Sequence, residues 1–134
     1  MSTEIEVPVS PGELIDKITI LEIKRERIGD PAKIANVRRE LELLESRWQA
    51  SAWAARGVGD ARARLKSVNE ALWEIEDDIR LMEAAGEFDA RFIELARSVY
   101  LQNDRRAAIK KEINVALGSS IVEEKSYADY TRKA

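Results

Sequence analysis

The sequence predicts an all-α protein with four main helices. Three observations support this: glycine and proline recur at intervals suited to helix ends, apolar residues between them repeat every three or four positions, and charged residues, 35% of the chain, fill the remaining positions. At 134 residues the chain has the usual size of one domain. We therefore expect residues 1–134 to form a single helical domain.

Capping residues define the expected helix ends. Ser10-Pro11-Gly12-Glu13 is a capping box with proline at the first helical position. Other aspartates and glycines mark later starts and stops, and the expected helices span about residues 11–28, 31–56, 60–85 and 90–117. Residues 1–9 are expected to form a short extended arm. Residues 119–134 are expected to form a tail that has the composition for one more short helix.

The second and third helices carry apolar stripes with the alternating spacing of a coiled-coil seam. If the chain folds back about Val58, the stripes align in register, with Leu41 opposite Ile75 and Trp48 opposite Val68. This pattern predicts an antiparallel, coiled-coil-like hairpin at the centre of an up-down four-helix bundle. The alternative architecture is a projecting hairpin whose base is clasped by the other two helices.

The first helix is apolar on two faces. Leu14, Ile18 and Leu21 lie on one of these faces, and Ile20 and Ile23 lie on another. Such a helix is covered on two sides, so it is either central in the domain or part of a dimer interface.

Composition excludes several kinds of site. The chain has no Cys and no His, which removes disulfides, thiolate metal sites, the usual zinc ligands and the Glu-x-x-His motif of di-iron bundles. Its net charge of −3 gives no general attraction to nucleic acid or to anionic lipid. No apolar run approaches the roughly 20 residues that span a bilayer. We expect a cytoplasmic protein with no metal and no cofactor.

The fourth helix has a polar interruption in its apolar stripe, at Asn103, Arg106 and Lys110. If the first and fourth helices are antiparallel neighbours, Glu22 and Arg25 of the first helix lie level with Arg106 and Lys110 of the fourth. A partly enclosed group of these residues is suited to a small phosphorylated or carboxylated ligand. The alternative is that the charges pair with one another and only fix the register of the helices.

A second candidate site is an acidic pattern, Glu42-x-x-Glu45 followed by Glu74-x-x-Asp77. It resembles the paired motifs of all-α nucleotide pyrophosphohydrolases, in which four carboxylates gather magnesium over a nucleotide triphosphate. In the predicted hairpin the two pairs lie on opposite flanks and point apart. This hypothesis is therefore the weakest of those considered.

Three stretches resemble the signature sequences of a bacterial family of short proteins of unknown function. They are residues 8–24 (PVSPGELIDKITILEIK), 103–114 (NDRRAAIKKEIN) and 124–127 (EKSY). The likeness spans nearly the whole chain. It implies a bacterial cytoplasmic protein and implies no activity, cofactor or catalytic residue.

The leading functional hypothesis is a non-enzymatic helical interaction or assembly protein that self-associates through the first helix, as a homodimer or with another protein. This hypothesis rests on the first helix, which is apolar on two faces, and on the extended N-terminal arm, which has no strand to pair with. The alternative is an enzyme or sensor that binds a small anionic metabolite through Glu22, Arg25, Asn103, Arg106 and Lys110. We predict no catalytic residue, and the balanced charges of the chain disfavour binding to nucleic acid.

Overall fold

The computed structural model describes residues 3–131, and this part of the chain contains four helices. They are α1 (Pro11–Arg27), α2 (Pro31–Ala50), α3 (Gly59–Ala85) and α4 (Ala90–Ala116). The described residues form no strand. The predicted all-α class with four main helices is confirmed.

Local capping places most helix ends where the sequence predicts them. The side chain of Ser10 accepts a hydrogen bond from the backbone N–H of Glu13 at 3.2 Å, which starts α1. Asp30 accepts from the N–H of Ala32 at 2.9 Å and starts α2, and Asp89 caps α4 in the same way. These bonds satisfy backbone donors that have no partner within the helix.

The end of α2 differs from the prediction, because the helix stops at Ala50 rather than near residue 56. Ser51 has an extended backbone, and its hydroxyl donates to the carbonyl oxygen of Trp48 at 2.7 Å. A serine that bonds the backbone locally competes with the helical ladder, so it favours termination. Helix α3 begins one residue early, at Gly59, so Asp60 lies in its first turn rather than at its cap.

Helix α1 lies at the centre of the bundle. It contacts each of the other helices, whereas no Cα atom of α2 lies within 8 Å of α3. The predicted antiparallel pairing of the second and third helices, with Leu41 opposite Ile75, is therefore wrong.

The reason for this packing is the two-faced apolar surface of α1. Ile15, Ile18 and Ile23 are each at most 1% exposed, so α1 fills the space between α2 and α3. Leu41 of α2 and Leu65 of α3 belong to the same hydrophobic core as α1. Each stripe thus packs apolar side chains against α1, and the backbones of α2 and α3 stay apart.

The hairpin that forms is α3–α4, closed by Gly86 in the left-handed conformation at φ 69°. Both arms have 27 residues, against 17 in α1. At about 1.5 Å per residue the arms are some 15 Å longer than α1. The distal end of the hairpin therefore projects past α1, and Leu81, Phe88 and Ile93 at this end are 57–69% exposed.

The N-terminal arm and the C-terminal tail lie against the helices. Glu6 of the arm accepts a hydrogen bond from Arg47 of α2 at 2.7 Å. Residues 119–131 form no helix, so the short additional helix considered for the tail is absent from the described residues. Residues 1–2 and 132–134 lie outside the described part of the chain. Of the four helices, none combines the length and the apolar character needed to cross a membrane.

Candidate functional site

The carboxylate of Asp16 is the centre of a buried polar cluster between α1, α3 and α4. Asp16 is 0% exposed. Its Oδ1 accepts from Nε of Arg106 and from Nδ2 of Asn69, each at 2.9 Å. Its Oδ2 accepts from Nη2 of Arg106. A buried charge is tolerated when it is paired and hydrogen-bonded in this way.

A hydroxyl completes the cluster around Asp16. Thr19, which is also fully buried, donates to the backbone carbonyl of Asp16 at 2.8 Å and accepts from Asn69 at 3.0 Å. No buried side-chain nitrogen or oxygen among the described residues lacks a hydrogen-bond partner. The cluster therefore holds Arg106 in a single orientation.

Arg106 is held as a permanent cation. Its hydrogen bonds to Asp16 raise the pKa of the guanidinium, and this effect outweighs desolvation, which lowers the pKa. A guanidinium has five N–H donors, and two of them bond Asp16. No other acceptor among the described residues bonds Arg106. The remaining donors are free for a ligand.

Lys110 joins α1 to the C-terminal tail. The residue is only 8% exposed. Its ammonium group donates to Glu13 of α1 and, at 3.2 Å, to Glu123 of the tail. It also lies 3.9 Å from Oδ2 of Asp16. One buried ammonium thus has three carboxylates around it.

Glu123 is bound by two lysines. Its carboxylate accepts from Lys125 at 2.5 Å and from Lys110 at 3.2 Å. The hydrogen bond from Lys125, followed by that from Lys110, lowers the pKa of Glu123 below its ordinary value. The carboxylate is therefore ionised at neutral pH and remains bound to both lysines.

The first turn of α1 lies directly against the last turns of α4. The N–H of Gly12 donates to the side-chain oxygen of Asn114 at 2.7 Å, and both residues are buried. Because this contact is made through a backbone group, it fixes the two helices at close range. The register that aligns Asp16 with Arg106 depends on it.

A pocket of about 500 Å³ opens between α4 and the tail. It is lined by Val99, Tyr100, Asn103, Asp104, Arg106, Ala107, Lys110, Lys125, Tyr127 and Tyr130. We call it the tail pocket. Its wall carries three cations and one carboxylate, and that carboxylate accepts a hydrogen bond from the hydroxyl of Tyr130. The rings of Tyr100 and Tyr130 lie 5.0 Å apart and form an aromatic side of the pocket.

A second pocket, of about 490 Å³, lies on the α1–α3 side of the same arginine. Asn103 and Arg106 line both pockets. The remaining wall of the second pocket includes Trp73 with charged residues of α3, among them Glu76 and Arg80, which pair with each other. Arg106 therefore separates two cavities of similar size.

The structure brings three of the five predicted ligand-binding residues together. Asn103, Arg106 and Lys110 all line the tail pocket. The predicted position of Glu22 beside them is wrong, because Glu22 accepts instead from Arg62 of α3 at 3.1 Å. Arg25 is exposed and lines a different pocket, against α2.

Glu22 and Arg25 were misplaced both along α1 and around it. They follow Asp16 by six and nine residues, which at about 1.5 Å and 100° per residue puts them about 9 and 13 Å further along the helix and about 120° and 180° away around it. Asp16 is the residue that contacts Arg106, so Glu22 and Arg25 lie beyond this contact and face away from it. Sequence reasoning missed Asp16 itself, and the available signal was an acidic residue between Ile15 and Ile18 in a helix that must be covered on both faces.

The four carboxylates of the pyrophosphohydrolase pattern are not gathered. Glu45 bonds Arg62 at 2.7 Å, and Glu74 bonds Arg27 at 3.4 Å. Glu42 and Asp77 line separate pockets. Within residues 3–131 no group of three or more acidic side chains is arranged to hold a metal ion.

A family model described as a family of unknown function (DUF6165) matches residues 5–132. The chain belongs to this family. The matched range includes the three stretches at 8–24, 103–114 and 124–127, which form most of α1, the second half of α4 and part of the tail. No curated protein and no solved structure matched the chain.

Proposed function

We propose that this DUF6165 protein binds a small anionic ligand, a phosphate ester or a carboxylate with an aromatic or apolar part, in the tail pocket. The observation that carries this proposal is Arg106, whose guanidinium is fixed by the buried Asp16 while its other donors have no acceptor within residues 3–131. A preoriented guanidinium is a good partner for phosphate and carboxylate groups.

The charge of the pocket wall favours an anion. Arg106, Lys110 and Lys125 line the pocket, and Asp104 is the one carboxylate in the wall. Tyr130 already donates to Asp104, so this carboxylate has a partner other than the three cations. The lining thus has three cations and one carboxylate, and the carboxylates of Glu13, Asp16 and Glu123 pair with these cations from outside the lining.

The tyrosines favour a ligand with an apolar part. Tyr100, Tyr127 and Tyr130 supply ring faces and hydroxyl groups around the cations. Binding pockets commonly combine apolar walls with a few well-placed polar groups. An aromatic anion such as phenyl phosphate meets both requirements and is a suitable probe.

The proposed role is binding rather than catalysis. The carboxylates next to the pocket cations, Glu13, Asp16 and Glu123, are each engaged by Arg106 or Lys110, so none is poised as a general base. The bacterial cytoplasm implied by the sequence resemblance is rich in phosphorylated and carboxylated metabolites. We propose that setting, and a sensor or carrier role in it.

Replacing Lys125 by methionine is expected to weaken phenyl phosphate binding about tenfold, because a charge-assisted hydrogen bond to the ligand is lost. Lys125 lies in the exposed tail, so the substitution leaves the core intact. Isothermal titration calorimetry at low ionic strength measures the affinity. Lys111→Met is the matched control, since Lys111 is an exposed lysine of α4 that does not line the tail pocket.

Two results would contradict the proposal. One is the absence of any heat or melting-temperature shift with phenyl phosphate at millimolar concentration. The other is equal loss of affinity in Lys111→Met and Lys125→Met, since this would show a general charge effect rather than a site.

A second candidate function is self-association, and the observation that favours it is the apolar tip of the α3–α4 hairpin. Leu81 is 69% exposed and Ile93 is 58% exposed, next to Phe88. The first helix, which the sequence suggested as the interface, is covered by the other three helices. We propose that two copies bury these tips against each other, because clustered exposed apolar side chains commonly mark interaction surfaces.

Light scattering is expected to give the mass of a dimer at micromolar concentration, and the double variant Leu81→Gln/Ile93→Gln is expected to give a monomer. Its melting temperature, compared with the wild-type value at the same low protein concentration, should change little, since both side chains are exposed. Val115→Gln removes another exposed apolar residue, 73% exposed and far along the chain from the tip, and should keep the dimer. A monomeric wild-type protein contradicts this candidate and leaves the anion site untouched.

A further inference from the structure

The C-terminal tail runs back along α4 and covers the cations of the tail pocket. Glu123 contacts Lys110, and Tyr130 contacts Asp104 and Tyr100, so the tail passes α4 in the reverse direction. Every residue from 121 to 131 is exposed, and none belongs to a helix. The tail thus lies on the surface of α4 through a small number of side-chain contacts.

Glu123 makes the contact that matters for a ligand. Its carboxylate bonds the ammonium groups of Lys110 and Lys125, and these two lysines line the tail pocket. Both also line a smaller neighbouring pocket of about 200 Å³, which Glu123 itself helps to form. A protein carboxylate therefore holds two of the three cations that an anionic ligand would use.

We propose that Glu123 is an internal competitor of the ligand, so that the phosphate or carboxylate group of the ligand replaces the Glu123 carboxylate at Lys110 and Lys125 and releases this part of the tail. The inference rests on the proposed anion-binding function. It places the anionic group of the ligand between Arg106 and the two lysines and leaves its apolar part to the tyrosines.

The exchange is energetically accessible. The side chains of Lys125 and Glu123 are 43% and 45% exposed, so water weakens their ion pair, whereas Lys110 is the more buried partner at 10%. Lys110 keeps Glu13 as a partner when Glu123 leaves. The contacts of Tyr130 hold the far end of the tail, so the expected movement is confined to the segment around residues 121–126.

The test compares full-length wild-type protein with Glu123→Gln and Glu124→Gln, using phenyl phosphate and inorganic phosphate as probes. Glu123→Gln is expected to bind both probes about three- to tenfold more tightly, because the competing charge is gone while the side-chain shape is kept. Glu124→Gln removes the same charge from the adjacent exposed residue, which lines the smaller pocket but makes no ion pair among the described residues, and should tighten binding less than Glu123→Gln. The NMR order parameters of the backbone amides of residues 121–126 should fall when the probe is added to wild-type protein.

The outcomes separate this inference from the function on which it rests. If the wild type binds phenyl phosphate, and Glu123→Gln binds it equally or more weakly, the competitor role is wrong and the binding site stands. If Glu124→Gln tightens binding as much as Glu123→Gln, the effect is general charge, and the competitor role is again wrong. If neither the wild type nor Glu123→Gln binds either probe, the proposed function itself fails. Binding by Glu123→Gln alone supports both.

Discussion

Replacing Arg106 by methionine is expected to lower the free energy of unfolding by about 3–5 kcal/mol, the usual effect of removing one partner of a buried ion pair. Asp16 is 0% exposed and receives both of its strongest hydrogen bonds from Arg106. After the substitution its carboxylate keeps only the bond from Asn69 and an ammonium group at 3.9 Å. Methionine retains the apolar stem of arginine, so lost packing contributes little. Urea denaturation followed by tryptophan fluorescence measures the change.

A double-mutant cycle distinguishes the ion pair from a local effect at position 106. Asp16→Asn removes the buried charge with little change of shape. It should therefore lower the free energy of unfolding by less in the Arg106→Met background than in the wild type. We expect a coupling free energy of at least about 1 kcal/mol. Arg105→Met, at the exposed neighbouring position, should change stability by less than about 0.5 kcal/mol. Independent effects of the two substitutions would contradict this account of the cluster.

The same prediction determines which residues are useful for testing function. A loss of ligand binding in an Arg106 variant could come from unfolding, because Arg106 holds α1 against α4 through Asp16. Lys125 and Glu123 lie in the exposed tail and do not hold two helices together. The binding experiments therefore depend on the tail residues, and Arg106 serves to test the fold.

Helix ends were predictable from the sequence because capping is local. Ser10, Asp30 and Asp89 bond backbone groups two or three residues away, and Gly86 takes the left-handed conformation that ends α3. The choice of packing partner is not local. The stripe of α2 fits any apolar surface of suitable spacing, and it meets α1 rather than α3 because α1 offers apolar side chains on two faces.

The candidate site was also predictable only in part. A polar interruption inside an apolar stripe correctly identified Asn103, Arg106 and Lys110 as neighbours of one pocket. The partners on α1 were chosen by placing the start of α1 level with the end of α4, which gave Glu22 instead of Asp16. The contacts of Gly12 with Asn114 and of Asp16 with Arg106 show a different register. Neither the register nor the relative rotation of two helices follows from the periodicity of each helix alone. The contribution of the tail depends on a contact between Glu123 and Lys110 that no periodic pattern indicates.

Gly12→Ala is expected to destabilise the protein by about 2–3 kcal/mol, because the new methyl group has no room. A Cβ at this position would lie 2.5 Å from the backbone oxygen of Lys110 and 2.8 Å from Oδ1 of Asn114. One of these atoms belongs to the backbone of α4, so α1 and α4 must separate before the methyl group fits. The expected loss exceeds the gain of about 0.5–1 kcal/mol that alanine brings to a helix through its lower chain entropy.

Gly29→Ala is the control, since an added Cβ meets nothing within 4 Å there and the backbone is not in the left-handed region. It should be neutral or slightly stabilising, so the two substitutions change stability in opposite directions if close approach is the cause. Similar stability of both variants would show that α4 adjusts without strain. Separation of the helices at Gly12 would also draw Glu13 away from Lys110, so one carboxylate fewer would compete with the ligand for that ammonium group and phenyl phosphate should bind more tightly. Tighter binding by a folded Gly12→Ala protein would thus link the close packing of α1 on α4 to the chemistry of the tail pocket.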